Sequence, residues 1–305
     1  MISFRYHIVT IVALFLALAI GLLAGSAFVE PGLVEQLRTQ TDRLRGEVGD
    51  LEDELTAARA EVAGLEAFAD AAASRLSRDR LLGTNVVIVT LEGTDGGLIA
   101  RAQASLSEAG ATILAMMSAR STLLSDDPAV QAELAEILGR PDALPVDLPG
   151  LAAGALAERL DRGRRPTDPE DLLSRLLSAG FLAPVGIGVS GATIEQIGQP
   201  GQAVVVLAGG AGEDPPLEPE AFAVPLVRAL AALGVVVAAG EPLDTDVPFV
   251  RSIRAAGDPG TVTVDDLDRS MGGAALVLGL GELLTTGSGG AYGVKDGAEP
   301  IPSAT

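Results

Sequence analysis

Hydrophobic residues follow three different patterns along the chain, and the first is an uninterrupted apolar run. Residues 8–29 are 22 positions without a charge. As a helix rising about 1.5 Å per residue, this run spans roughly 33 Å, the thickness of a hydrocarbon core. Arg5 precedes the run and Glu30 follows it, so the positive-inside rule predicts a cytoplasmic N-terminus and an exported remainder.

A cleaved signal peptide is the alternative, because small residues lie near the end of the run. Signal-peptide cores usually have about 7 to 15 residues, so the longer run favours a retained signal anchor within residues 1–32. Ala17, Gly21 and Gly25 recur every four residues and place small side chains on one helix face. This face predicts contact with another transmembrane helix, although a high frequency of Ala and Gly would give the same spacing.

The second pattern is a heptad repeat in residues 33–80, which begins after Pro31 and Gly32 interrupt the first helix. Heptads in sustained register predict a coiled coil, and β-branched residues at position a with Leu at position d favour two parallel helices. The residues predicted to contact a partner along this seam are Val34, Leu37, Leu44, Val48, Leu51, Leu55, Val62 and Leu65. Such a helix could instead pack on its own globular domain, but at roughly 64 Å it is too long to do so throughout.

Charged positions beside the seam disfavour pairing with a second copy of the chain. In a parallel homodimer, Glu47 would face Glu52 and Glu61 would face Glu66, and only one further pair would attract. We therefore predict a different chain as the partner, with Lys or Arg opposite these glutamates.

The third pattern, from residue 83 to residue 286, alternates short apolar runs with helical segments. The runs that predict strands are 86–91, 111–117, 203–207, 235–239 and 261–264, and the predicted helices are 98–109, 128–138, 151–160, 169–179, 218–233 and 267–284. Continuous apolar strands are buried on both faces, so we predict a Rossmann-like, mostly parallel α/β domain, soluble and exported. Residues 287–305 are predicted to form a Gly-rich tail.

Composition limits which ligands and catalytic residues can be expected in the chain. A net charge of −20 and an isoelectric point of about 4.3 repel nucleic acid, so no nucleic-acid function is expected. There is no cysteine, and the single histidine, His7, precedes the apolar run. Copper(I) prefers sulfur ligands, but adjacent Met116 and Met117 in a strand would point to opposite faces. We therefore predict no cofactor, no metal ligand and no catalytic residue.

Two glycine-containing segments resemble phosphate loops without matching them. Residues 209–212 (GGAG) follow an apolar strand, but they fit neither GxGxxG nor GxxxxGK[ST]. Residues 92–97 (EGTDGG) end the first strand. We interpret the first segment as a plain turn and the second as a turn followed by a helix N-cap.

Two other motifs could carry chemistry. Residues 188–192 (GVSGA) miss GxSxG by one position, and no exported histidine is present to activate Ser190. Asp265, Asp266 and Asp268 could hold a divalent cation before the last helix. Capping of that helix is the preferred explanation, because carboxylates stabilise helix N-termini without a metal.

Both ends of the chain have distinctive sequences: residues 1–28 with the heptads that follow, and the segments TVTVDDLDRS and GAALVLGLGELLTTGSGGAYGVKDGAEPIP. They resemble the mycobacterial MctB copper-transport family, whose corynebacterial relatives are called SteB. The resemblance covers essentially the whole chain. It implies a cell-envelope protein, described either as an outer-membrane copper transporter or as the partner of the membrane protein SteA in daughter-cell separation.

These observations lead to one main hypothesis and two alternatives. We expect a non-enzymatic, single-pass cell-envelope protein that pairs through its coiled coil with a SteA-like membrane protein, in cell separation or cell-wall remodelling. The first alternative is copper transport or homeostasis, which rests on the family name because one anchor and a soluble acidic domain do not form a pore. The second is a nucleotide-binding or hydrolytic enzyme, which the fold alone suggests.

Overall fold

A computed structural model of the chain describes residues 4–27, 31–164, 170–185, 193–210, 216–257, 260–295 and 297–302. The chain divides into two compact units, Met1–Leu65 and Glu66–Thr305. The first unit is helical. The second contains a β-sheet and the helices that cover it.

Helix α1, Phe4–Ala27, carries the apolar run. Its segment Tyr6–Gly25 has a mean hydropathy of 2.7, and it is the one helix among the described residues with the length and composition to cross a membrane. Helix α2, Pro31–Ser77, begins in the first unit and continues into the second. It begins at Pro31, two residues before the predicted start at residue 33, because the fixed φ and missing N–H of proline suit the first position of a helix.

Strands and helices alternate in the second unit. After α2 its elements are β1 (Asn85–Leu91), α3 (Gly96–Glu108), β2 (Thr112–Ala119), α4 (Pro128–Ile137), α5 (Leu148–Arg162), α6 (Leu172–Ser178), β3 (Leu182–Pro184), β4 (Ala203–Leu207), α7 (Ala223–Ala232), β5 (Val236–Gly240), α8 (Val250–Ala255), β6 (Thr261–Val264), α9 (Ser270–Thr286) and β7 (Ala291–Tyr292). The predicted strands and helices are present, with ends shifted by a few residues. The sequence did not predict β3, α8 or β7, because these elements are too short to show a period.

One sheet contains the seven strands of the described residues, in the order β3-β2-β1-β4-β5-β6-β7. Neighbouring strands are parallel except β2 and β3. Strand β1 lies inside the sheet, with Ile88 opposite Met116 of β2 on one side and opposite Val205 of β4 on the other. The direction of strand addition reverses between β1 and β4. The predicted mostly parallel α/β sheet is confirmed.

Helices cover both faces of this sheet, as the continuous apolar strands predicted. Val87 and Val89 of β1 join one buried cluster, which includes side chains of α4, α5, α6, α7 and α8. Val86 and Ile88 join the other cluster, which includes side chains of α3 and α9. The parallel strands therefore place their carboxyl ends, and the loops that follow them, at one edge of a sheet that is covered by helices on both faces.

Candidate functional site

The predicted seam on α2 is a row of exposed apolar side chains. From Leu37 to Leu65, each described seam residue exposes about half of its surface or more, from 49% at Leu55 to 63% at Leu51. The side chain of Val34 lies outside the described residues. Burying apolar side chains of this size is worth about 1.5–3 kcal/mol each, so a row of them favours a second helix against this face. The coiled coil itself stays a prediction.

The four glutamates beside the seam are exposed, as a partner-facing position requires. Glu47 lies 4.0 Å from Arg43 of the preceding turn, in a pair that is mostly solvent-exposed. Such pairs contribute little, so a cation on another chain could compete for this carboxylate. Glu52, Glu61 and Glu66 are likewise exposed on the helix surface.

The seam changes at its C-terminal end, within the second unit. Ala69 and Ala72 are half-buried, and Ala73 and Ser77 are buried. The hydroxyl of Ser74 donates to Glu108 of α3, and the hydroxyl of Ser270 in α9 donates to Asp70. This last part of α2 therefore packs on the α/β unit. The alternative interpretation of the heptad repeat, in which the helix packs on its own globular domain, thus applies to this part of the helix.

The proposed transmembrane contact face lies on α1. Ala17, Gly21 and Gly25 are exposed, and a Cβ added at either glycine would meet no atom within 4 Å. The face is open to a close helix approach within the described chain. Its use as a contact stays a prediction.

The crevice between the carboxyl ends of β1 and β4, where strand addition reverses, is the usual ligand site of such a sheet. Here it is nearly filled. Asp95 accepts a hydrogen bond from the Leu98 amide at 2.9 Å and donates its own N–H to the Gly209 carbonyl at 3.2 Å. A Cβ added at Gly210 would lie 2.9 Å from the Asp95 side chain. The cavity that the described lining residues leave is about 10 Å³, close to one water position.

These contacts test two predictions about glycine-containing loops. Asp95 caps α3, so the predicted turn and N-cap are confirmed. Gly209 and Gly210 adopt positive φ of 106° and 83°, which is typical of a turn. The remainder of the GGAG segment, and the whole of the 188–192 motif with Ser190, lie outside the described residues.

Glu92, the residue after β1, lines the same crevice. Its Oε2 accepts the Ser121 amide at 2.7 Å, and its Oε1 lies 3.1 Å from Arg120. The Ser121 N–H, assisted by the Arg120 charge, lowers the pKa of Glu92 against the opposing effect of burial. The carboxylate therefore holds the β2 terminus in place.

The prediction that Asp265, Asp266 and Asp268 cap the last helix is wrong. Arg269 occupies the cap position of α9, and its side chain makes no capping bond. Asp268 instead accepts the Leu243 amide at 2.7 Å, in the loop after β5. The reason is tertiary, because backbone N–H groups of neighbouring loops reach the carboxylates of Asp265 and Asp268 in the folded domain.

Asp265 is the centre of an ionic network that fixes the C-terminal segment. One oxygen accepts the amides of Val294 and Lys295 at 2.8 and 3.2 Å, and the other lies 2.5 Å from the Arg254 guanidinium. The Lys295 ammonium in turn donates to Glu241 at 2.8 Å. Asp265 and Glu241 are fully buried, so each negative charge is matched by a cation and by backbone donors.

Asp266 is 2% exposed, and it differs from its neighbours because no described residue donates a hydrogen bond to its Oδ1. Burial raises its pKa to about 6, and the charges of Asp265 and Asp268 act in the same direction against Arg269. Nothing in the sequence distinguishes this aspartate from the two beside it.

A groove of about 780 Å³ lies among α4, α5 and α6. Its wall includes Arg159, whose guanidinium donates to Asp171 at 2.6 Å and to the carbonyls of Ile197 and Ile194 at 2.6 and 3.0 Å. The Arg175 side chain donates to the Ile137 carbonyl at the end of α4. Arg159 of α5 is therefore bonded to Asp171 before α6 and to the loop before β4, and Arg175 of α6 is bonded to the end of α4.

Metal-binding chemistry is sparse in the described residues. They contain no group of three or more His, Cys, Asp or Glu side chains arranged to hold a metal ion. Met116 and Met117 lie in the two different buried clusters, so they point to opposite faces as predicted. The absence of a metal ligand stays a prediction.

Comparison with known proteins gives a consistent result. A family model described as "Copper transport outer membrane protein, MctB" matches residues 1–302. The protein named Copper transporter MctB from Mycobacterium tuberculosis (strain ATCC 25618 / H37Rv) is 28% identical over 325 aligned positions, covering 99% of each chain. The protein of the same name from Mycobacterium leprae (strain TN) is 27% identical with the same coverage.

Proposed function

The chain belongs to the MctB family, and from this premise we propose that it is a membrane-anchored, non-enzymatic protein of copper transport or homeostasis. The observation that carries the proposal is similarity along the full length of chains named copper transporters. This favours the copper alternative over the cell-separation hypothesis that the sequence first suggested.

In the proposed arrangement α1 is a signal anchor, and the remainder of the chain lies on the exported side. Arg5 before the apolar run and the acidic residues after it support this orientation. The strand order around β1, with helices on both faces, supports a Rossmann-like α/β domain. The described residues at the carboxyl ends of β1 and β4 leave a cavity of only about 10 Å³, which gives no support to the nucleotide-binding or hydrolytic alternative.

The chain would act in copper transport through another protein. It has no cysteine, and its described methionines in β2 are buried, so few ligands suit a soft ion. The exposed seam of α2 supports a coiled coil with a different chain, and its acidic flank calls for a basic partner helix. Copper would then be cargo of the assembly.

The test is copper handling in cells that lack the protein. We expect copper accumulation and sensitivity to be altered, and to be restored by the wild-type chain. Restoration should fail with Leu44→Ser/Leu51→Ser, which removes two seam side chains, and should succeed with Asp50→Ser/Asp53→Ser, which changes exposed residues off the seam. Equal membrane levels of the variants are the control.

Cell separation is the second candidate function, and the exposed seam favours it because a SteA-like partner could occupy the same surface. The two candidates differ in one outcome. Normal copper handling together with daughter cells that stay attached would overturn the copper proposal and support the second.

A further inference from the structure

The C-terminal segment 288–295, called the strap here, is part of the sheet. Its Gly290 carbonyl accepts the Thr263 amide at 2.8 Å, and its Tyr292 carbonyl accepts the Asp265 amide at 3.2 Å. Strand β7 thus extends the parallel sheet beside β6. The segment predicted as a Gly-rich tail therefore begins with an ordered strand.

Glycine is required in the strap because the backbone passes close to buried groups. A Cβ at Gly289 would overlap the backbone of Thr261, and a Cβ at Gly293 would overlap the Asp265 carboxylate. Gly293 also has a positive φ of 127°. The strap is consequently held close to β6 and to the Asp265 carboxylate.

Asp266 lies directly under this close approach. A Cβ at Gly293 would be 3.1 Å from its orphan Oδ1, and a Cβ at Gly272 of α9 would be 2.7 Å from the same atom. The Oδ1 atom is thus enclosed between the strap and α9, where it is buried and no described residue donates a hydrogen bond to it. An ionised carboxylate in such a place is unstable, whereas the protonated acid is neutral.

We propose that Asp266 makes the strap a proton-sensitive clasp, which stays closed while the carboxyl is protonated and opens more often when it ionises. Opening lets water reach the carboxylate and relieves its repulsion with Asp265. The clasp is a small two-state element whose equilibrium follows the protons bound by one buried group.

The surrounding charges are consistent with this role. Asp265, Asp268 and Arg269 flank Asp266 on its own loop, and Lys295 and Tyr292 lie on the strap. Arg254 approaches from α8 and Glu241 from the loop after β5. Asp265 and Glu241 have cations against them, whereas no cation among the described residues forms a salt bridge with Asp266. The pKa of Tyr292 is raised to about 12, by burial first and then by Glu282 and Glu299, so the phenol keeps its proton near neutral pH.

The sign follows from the raised pKa of Asp266, about 6 in the closed strap against 3.8 when exposed. The closed form binds the proton more tightly, so its stabilisation is greatest below pH 3.8 and is lost as pH rises through about 6. Between pH 5 and pH 8 the opening equilibrium should increase roughly tenfold.

The experiment is amide hydrogen exchange of the full chain in detergent micelles, followed at Val294 and Lys295 between pH 5 and pH 8 and corrected for intrinsic exchange. We expect the opening equilibrium to rise roughly tenfold in the wild type and to be independent of pH in Asp266→Asn. Amides of β1 should not show the same rise.

A second variant tests the electrostatic origin. Asp268→Asn keeps an oxygen that can accept the Leu243 amide, but it removes one charge that raises the pKa of Asp266. The transition should remain and move to lower pH. A flat profile in the wild type, a rise that persists in Asp266→Asn, or an equal rise in β1 would each overturn the proposal.

Discussion

Replacing Arg159 by Met should destabilise the α/β domain more than any exposed charge change. The Arg159 and Asp171 side chains are 4% and 5% exposed, and the guanidinium also holds two backbone carbonyls. Removing it leaves a buried carboxylate and two carbonyls without their donor. Breaking a buried pair from one side costs about 3–5 kcal/mol, a large part of the total stability of a domain.

The matched control is Arg162→Met, the same substitution one turn later in α5. The Arg162 side chain is 58% exposed and lies 3.4 Å from Asp161, so its loss should cost less than about 1 kcal/mol. The double variant Arg159→Met/Asp171→Leu removes both charges and should recover part of the loss, because no buried carboxylate remains.

The assay is urea unfolding of the full chain in micelles, followed by circular dichroism and tyrosine fluorescence. A midpoint for Arg159→Met within error of Arg162→Met would refute the reasoning. If Arg159→Met does not accumulate as folded protein, resistance to proteolysis is compared between the single and the double variant. A double variant that is cleaved as readily as Arg159→Met would contradict the charge argument.

Three further predictions concern the strap, copper and the seam. Gly293→Ala should cost about 2–3 kcal/mol in urea unfolding, because φ is positive and its Cβ would also overlap the Asp265 carboxylate. Gly287→Ala, where φ is positive but the space around the Cβ is open, should cost about 1 kcal/mol, and equal costs would contradict this. Calorimetry with copper(I) under reducing conditions should find no submicromolar site in the purified chain, and one such site per chain would show the prediction to be wrong. A peptide of residues 33–80 should sediment mainly as a monomer at low micromolar concentration, because like charges flank its seam, and a stable homodimer unaffected by salt would refute the choice of a different partner.

The sheet could be predicted because its strands are continuous apolar runs. Residues 203–207 (AVVVL) are buried at every position, and this pattern is readable without any knowledge of neighbours. Strand β3 was missed because three residues ending in Pro184 carry no period. Strand β7 was missed because its flanking glycines resemble a loop, whereas they are needed for close approach to β6 and Asp265.

The ionic networks could not be predicted, because their partners come from different elements. Asp265 contacts Arg254 of α8 and the amide of Lys295, which follows α9 and β7 in the chain. No spacing in the sequence encodes these contacts. The three aspartates before α9 were therefore assigned to the helix that follows them in the chain. Proximity in sequence favoured capping of α9 by these carboxylates. In the folded domain, backbone N–H groups of loops distant in sequence donate to the oxygens of Asp265 and Asp268 instead.

The two interpretations of the heptad repeat apply to different parts of α2. The seam residues named above from Leu37 to Leu65 are large, apolar and exposed, whereas Ala69, Ala72 and Ala73 are small and partly or fully buried. Leucine at these last positions would hold the helix away from the α/β unit, so the alanines that weaken a seam are the residues that let the helix pack. A partner helix would therefore find its apolar contacts before residue 69, and the change from Leu to Ala marks where intermolecular contacts would give way to intramolecular ones.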